Sequence, residues 1–250
     1  MLENTFVHVP GIGPATEVAL WSQGCLTWAD FLGGDFDSRT ANRDEMLRHL
    51  DLSGIALAQG NSRYFDHALG TSEAWRAFPN FRESVLYLDI ETDGGQHGNS
   101  ITTIGMYDGD RFTCLIKGRD LDDFPQYLED KAMLVTFYGN GFDLPMLRKR
   151  FPGVRLDHLH VDLCPTLRQL GLRGGLKKIE KQLGIDRGED TDGLSGYDAI
   201  RLWRRYEVLH DDRALETLVA YNREDVVNLE YLADYAYKAL RARTFTWPKL

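Results

Sequence analysis

The run Val85-Leu86-Tyr87-Leu88-Asp89-Ile90-Glu91-Thr92-Asp93-Gly94 constrains this chain more than any other stretch. It starts as a buried β-strand and ends in charge. Residues two apart in a strand share a face, so Asp89 and Glu91 point the same way. Two carboxylates buried at the end of a sheet are costly unless something cationic neutralises them. A divalent metal ion is the natural candidate.

Further short runs rich in β-branched and aromatic residues follow it, at Ile101 to Tyr107, Arg111 to Ile116 and Leu134 to Tyr138. The first three runs are close enough for antiparallel hairpins, with Asp108-Gly109-Asp110 as the second turn. Helical patterns then take over at Leu121 to Asp130, Leu144 to Arg150, Gly175 to Leu183, Tyr197 to Tyr206 and about Asp212 to Leu240. A mixed sheet followed by helices predicts an α/β fold, with no internal repeat. Residues 1 to 80 carry no convincing strand pattern and read as a separate helical segment, which leaves 81–250 as the main domain.

Two more acidic positions stand out beyond the first strand. Phe137-Tyr138-Gly139-Asn140-Gly141-Phe142-Asp143-Leu144-Pro145 takes a strand through a glycine-containing loop into a helix. Asp143 alone reads equally as that helix's cap, with Pro145 in the first turn. In Tyr221-Asn222-Arg223-Glu224-Asp225-Val226, four-residue spacing puts Tyr221 and Asp225 on one helical face. Asp225 sits among Val219, Val226, Leu229 and Leu232, so an inward Asp beside an inward Tyr needs a partner.

Taken in order, L-D-I-E-T, N-G-F-D and Y-N-R-E-D resemble the three exonuclease motifs of the DEDD superfamily, DEDDy subtype. The chain is most similar to the YprB-like group of ribonuclease-H-like proteins, which is related to the proofreading domain of family B DNA polymerases. The resemblance covers roughly residues 84 to 240. His160-Val161-Asp162-Leu163, Gly174-Gly175-Leu176-Lys177-Lys178-Ile179-Glu180 and Gly193 ahead of Trp203 and Tyr206 also fit that group's pattern. By themselves, Asp162 is equally a structural hydrogen-bonding residue and Trp203 a core residue.

The resemblance implies a ribonuclease-H-like mixed sheet flanked by helices and a metal-dependent nuclease that hydrolyses phosphodiester bonds of DNA or RNA from the 3′ end. Asp89, Glu91, Asp143 and Asp225 would hold two ions, with Asp89 bridging, and Tyr221 would orient the attacking water. An unperturbed tyrosine pKa near ~10 favours positioning over general-base work. Oxygen ligands and no Cys/His constellation suit Mg²⁺ or Mn²⁺ rather than zinc. Asn140 and Phe142, flanking the second motif, are expected to touch the terminal nucleotide, with Phe142 equally readable as packed beneath the loop, and Lys177 to meet phosphate or merely solvent.

A net charge of −9 disfavours any reading that needs a broadly basic surface. Binding to a single-stranded or 3′-ended nucleic acid must therefore be local, through Arg173, Lys177, Lys178 and Lys181, and Arg201, Arg204 and Arg205. Val7-His8-Val9-Pro10-Gly11-Ile12-Gly13-Pro14 resembles the hairpin of a helix-hairpin-helix motif, whose glycines let backbone N–H groups approach a phosphate. Residues 1 to 80, however, carry ten acids against five arginines and no lysine. A structural or partner-binding role for this segment stands beside weak backbone contact.

Cys25, Cys114 and Cys164 are far apart and read as free thiols. The start of the chain lacks a basic stretch leading into an apolar one, and no run suits a membrane span. A soluble, cytoplasmic protein is expected. Two other functions compete with the nuclease: a nucleic-acid-binding or assembly module that keeps the fold without turnover, and a structural cation site. None of the four acids is replaced, which favours the enzyme.

Overall fold

The computed structural model describes residues 1–36, 38, 42–95, 100–188, 191 and 193–246. Helices come first: α1 (Pro14–Ser22), α2 (Trp28–Gly33), α3 (Arg43–Ala58), α4 (Ser62–Leu69) and the single turn α5 (Phe78–Phe81). Their starts follow local chemistry. Pro14 opens α1, where its missing N–H costs nothing. Thr27 and Asp30 cap α2 reciprocally, the Thr27 N–H donating to Asp30 at 2.8 Å and the Asp30 N–H to Thr27 Oγ1 at 3.2 Å.

Five strands form one mixed sheet: β1 (Val85–Thr92), β2 (Ile101–Tyr107), β3 (Phe112–Ile116), β4 (Met133–Thr136) and β5 (Leu159–Asp162). Their order is β3-β2-β1-β4-β5. The hairpin pairs β1–β2 and β2–β3 are antiparallel, whereas β1–β4 and β4–β5 are parallel. Helices α6 (Asp143–Arg150), α7 (Leu163–Gln169), α8 (Leu176–Gln182), α9 (Gly196–Leu209) and α10 (Asp212–Thr244) complete the α/β fold. Where the sequence pattern predicts a helix over 121–130, the chain forms a 3₁₀ helix, Leu121–Leu128, with Pro125 inside it. A proline there removes an N–H from the α-helical ladder.

Alternation along β1 divides the core. Val85 and Tyr87 face α10 and share a cluster with Val226, Leu229, Leu232 and Ala236. Leu86, Leu88 and Ile90 face the opposite layer, with Phe124 of the 3₁₀ helix and Leu144 and Leu147 of α6. By the same period of two, Asp89 and Glu91 fall on the α10 side. The strand register slips between Glu91 and Thr92, an irregularity common beside functional sites.

The N-terminal helices share the α10-side core, with Phe65, Trp75, Phe78 and Phe81 in the same cluster as β5 and α10. They also cover a sheet edge: Asp66 of α4 accepts the His160 N–H of β5 at 3.1 Å. Where the Val7–Pro14 stretch begins, the N–H groups of Phe6 and Val7 donate to Glu17 Oε1 at 2.6 and 3.3 Å. Arg76 in turn pairs with Glu17 at 2.9 Å. Burial raises the Glu17 pKa, and Arg76 opposes that rise.

Among the described residues, no helix is long and apolar enough to cross a membrane. Cys25, Cys114 and Cys164 are unpaired.

Candidate metal centre

Three elements bring the acids together at one end of the sheet. β1 carries Asp89 and Glu91 toward α10, and α10 returns Asp225, one turn beyond Tyr221. An oxygen from each of Asp89, Glu91 and Asp225 lies within 4.8 Å of the other two. The β4–α6 connection supplies Asp143, whose Oδ1 accepts the Ile90 N–H at 3.1 Å, between the two β1 acids. The capping alternative for Asp143 is therefore not what its side chain does: α6 begins at Asp143 itself, and the carboxylate turns to β1. A strand N–H otherwise left unmatched takes it up.

Like charges in a dry place hold their protons. Burial pushes Glu91 up to about 8, and Asp225 and Asp143 push the same way while Lys177 opposes. Burial also takes Asp143 to about 7, although the Ile90 N–H favours its charged form. Asp89 rises well above the carboxylate range, first through burial and then through Asp143, Asp225 and Glu91. Asp225 rises for the same first reason, against Arg187. Four oxygen-bearing acids that cannot all ionise unaided fit a hard divalent cation, and with it they would all be deprotonated.

Two side chains outside the expected set support these acids. Asn222 donates from Nδ2 to Asp89 Oδ2 at 2.9 Å. Its room comes from Gly105, which pairs with Asp89 across the strands; a Cβ there would lie 2.0 Å from Asn222 Oδ1. Arg187 Nη2 lies 2.5 Å from Asp225 Oδ1 and 2.7 Å from Glu180 Oε2. Asn228 holds the other Glu180 oxygen at 2.9 Å. Asn222 was within reach of sequence reasoning, since it lies inside the third motif and three residues before Asp225. Nothing near Gly184-Ile185-Asp186-Arg187-Gly188 announces where Arg187 will pack.

The remaining expected residues divide. Tyr221 is buried beside Asp225, and burial with the Asp225 and Glu91 charges raises its pKa further, away from any general-base role. Lys177 donates to the Leu194 carbonyl, and its Nζ stands 4.0 Å from the Tyr221 ring centroid. Asn140 is exposed, and Phe142 is 37% exposed rather than packed beneath its loop. Asp162 accepts the N–H groups of Tyr138, Asn140 and Cys164 at 2.8, 3.1 and 3.1 Å, and so caps α7 while pinning the β4–α6 loop. Trp203 is core, packed with Leu215, Leu218 and Tyr221. Arg201 and Arg205 pair with Asp198 and Asp211. Asp93 folds back on Ser100 instead of joining the acids, accepting its hydroxyl at 2.6 Å.

A family model described as the RNase_H superfamily matches residues 86–237, more than half of the chain. No curated protein matches. Sixteen chains of known structure match. Among them is the family B DNA polymerase from the hyperthermophilic archaeon Pyrobaculum calidifontis, at 21% identity and a TM-score of 0.49. That match covers 60% of this chain and 24% of the polymerase chain, so this protein corresponds to about a quarter of the polymerase's length.

Proposed function

This chain belongs to the RNase_H superfamily, and from that premise we propose that it is a divalent-metal-dependent 3′–5′ exonuclease of the DEDDy, YprB-like kind, acting on DNA or RNA. The observation that carries the proposal is the convergence of Asp89, Glu91 and Asp225 within 4.8 Å, with Asp143 braced against the same strand. A purely structural role gives no reason to concentrate so many acids against their own repulsion.

In this reading Asp89, Glu91, Asp143 and Asp225 hold two Mg²⁺ or Mn²⁺ ions. When bound, such ions activate water and stabilise charge on the phosphoryl and leaving oxygens. Tyr221 fixes the position of the attacking water through its hydroxyl, a role supported by its raised pKa and its place one helical turn from Asp225. Lys177, at the rim beside Tyr221, faces the phosphate, and Asn140 and Phe142 meet the terminal nucleotide. Residues 81–250 form the nuclease domain, and the helical segment 1–80 buttresses it; the Asp66 bond to β5 supports that division of labour.

The deciding experiment follows 3′- and 5′-labelled single-stranded DNA and RNA with Mg²⁺, Mn²⁺ or EDTA, beside the Asp89→Ala protein. Metal-dependent shortening from the 3′ end, lost in the variant, is the expected result. Absence of cleavage on both polymers would instead favour the two readings without turnover, a binding module that keeps the fold or a structural cation site.

A further inference from the structure

The loop between β4 and α6 holds an exposed aromatic side chain in a backbone conformation that bulky residues avoid. Tyr138 has φ +67°, and among the described residues His210 is the other non-glycine position of this kind. His210 ends α9, where a left-handed residue is common. No helix end explains Tyr138. Strain of this sort persists only where the surroundings over-determine it, and it concentrates at functional sites.

The surroundings here do over-determine it. Asp162, 2% exposed, accepts the N–H groups on both sides of Gly139, from Tyr138 at 2.8 Å and Asn140 at 3.1 Å. Gly139 lies against Thr136, where a Cβ would stand 2.0 Å from the Thr136 hydroxyl. Gly141 lies under the Tyr138 ring itself, where a Cβ would stand 2.5 Å from Cζ. Yet the residue so carefully held is 57% exposed, so burial does not offset the strain. Phe142 is exposed on the same short loop, and the next residue is Asp143.

A nucleic-acid ligand would need such a surface. The chain carries a net charge of −9, and several of its acids are concentrated at the site, so attraction to phosphates contributes little. Stacking of bases on aromatic faces does not depend on that charge. Resting on the nuclease reading, we infer that Tyr138 is a stacking platform for an unpaired base beside the metal centre. A base inside a duplex has both faces covered by its neighbours and offers none to the ring.

The test is equilibrium binding of a labelled single-stranded oligonucleotide and of a blunt duplex, with Ca²⁺ in place of Mg²⁺ and the oligonucleotide checked for integrity afterwards. It compares the unaltered protein with Tyr138→Phe and Tyr138→Asn, and each protein is also melted thermally. Asn tolerates the left-handed conformation. Tyr138→Asn is therefore expected to melt at the same or a higher temperature while binding single strands roughly 5- to 100-fold more weakly, and Tyr138→Phe to keep both properties. Equal single-strand affinity in Tyr138→Asn, or equal affinity of the unaltered protein for both oligonucleotides, overturns the inference. If the unaltered protein binds neither DNA nor RNA, the nuclease reading itself falls and takes this inference with it.

Discussion

The Arg187 guanidinium bridges two buried acids, 2.5 Å from Asp225 and 2.7 Å from Glu180, on a side chain only 4% exposed. Removing the guanidinium leaves two buried carboxyls without their cation, either charged in a dry place or forced to take up protons. Arg187→Gln is expected to lower the unfolding free energy by about 3–5 kcal/mol, read from urea titrations in EDTA. Glu180→Gln combined with Arg187→Gln removes one charge of each sign and should recover part of that loss. Equal stability of the single variant and the unaltered protein would show that the bridge is not maintained in solution.

The raised acids make the metal-free protein sensitive to base. Glu91 loses its proton near 8 and Asp143 near 7 when folded, whereas both ionise near 4 in an unfolded chain. Between those limits the folded state binds more protons, so stability falls as pH rises. His8 and His160, driven by burial to about 3 and 4, act oppositely, but only below their unfolded value near 6.5. From about pH 6.5 to 8 the histidines drop out, and the acids are opposed there by the Met1 amino group, whose pKa burial lowers. Melting temperatures in EDTA should drop across this range, Glu91→Gln should flatten the slope, and Mg²⁺ should restore stability by binding the ionised form. A flat profile in EDTA would mean that the acids are solvated and not crowded.

The parts of this molecule legible in the sequence are those whose neighbours lie close along the chain. β1 to β4 announce themselves through β-branched runs. β5 does not, because two of its four residues, His160 and Asp162, are polar yet buried. Thr136 of β4 satisfies His160 at 2.8 Å, and amides of the loop after β4 satisfy Asp162, partners that lie more than 20 residues earlier in the chain. The site divides in the same way. Period-two and one-turn spacings suffice to pair Asp89 with Glu91 and Tyr221 with Asp225. The bonds from Asn222 to Asp89 and from Arg187 to Asp225 depend on how α10 crosses the sheet, which no local pattern encodes.

Gly105 offers a direct check on that crossing. Its absent side chain makes space for Asn222, and a Cβ would also stand 2.9 Å from Val226 Cγ2 on the same helix. Gly105→Ala should push α10 outward, cost about 1–3 kcal/mol of stability and break the Asn222 bond to Asp89. In a crystal structure of the variant, the sign to look for is movement of α10 relative to β2. A variant that keeps both the stability and the 2.9 Å bond would argue that the helix sits farther from the sheet.

Asp89 and Tyr221 should separate metal holding from water positioning. Asp89 is buried among Asp143, Asp225 and Glu91, all of which oppose its ionisation, so Asp89→Ala removes a carboxyl that the metal-free site disfavours in its charged form while leaving the strand pairing of β1 with β2 untouched. Cleavage should disappear and Mn²⁺ binding measured by calorimetry should weaken sharply, whereas the metal-free protein at pH 8 should melt no lower than the unaltered one. Tyr221→Phe deletes only a hydroxyl that is one turn from Asp225, and the ring beneath Lys177 remains. Turnover should fall by about 10²–10⁴-fold if the hydroxyl positions the water in the transition state, with Mn²⁺ affinity changed far less. Parallel loss of metal affinity in both variants would assign the hydroxyl to holding Asp225 and remove it from the chemical step.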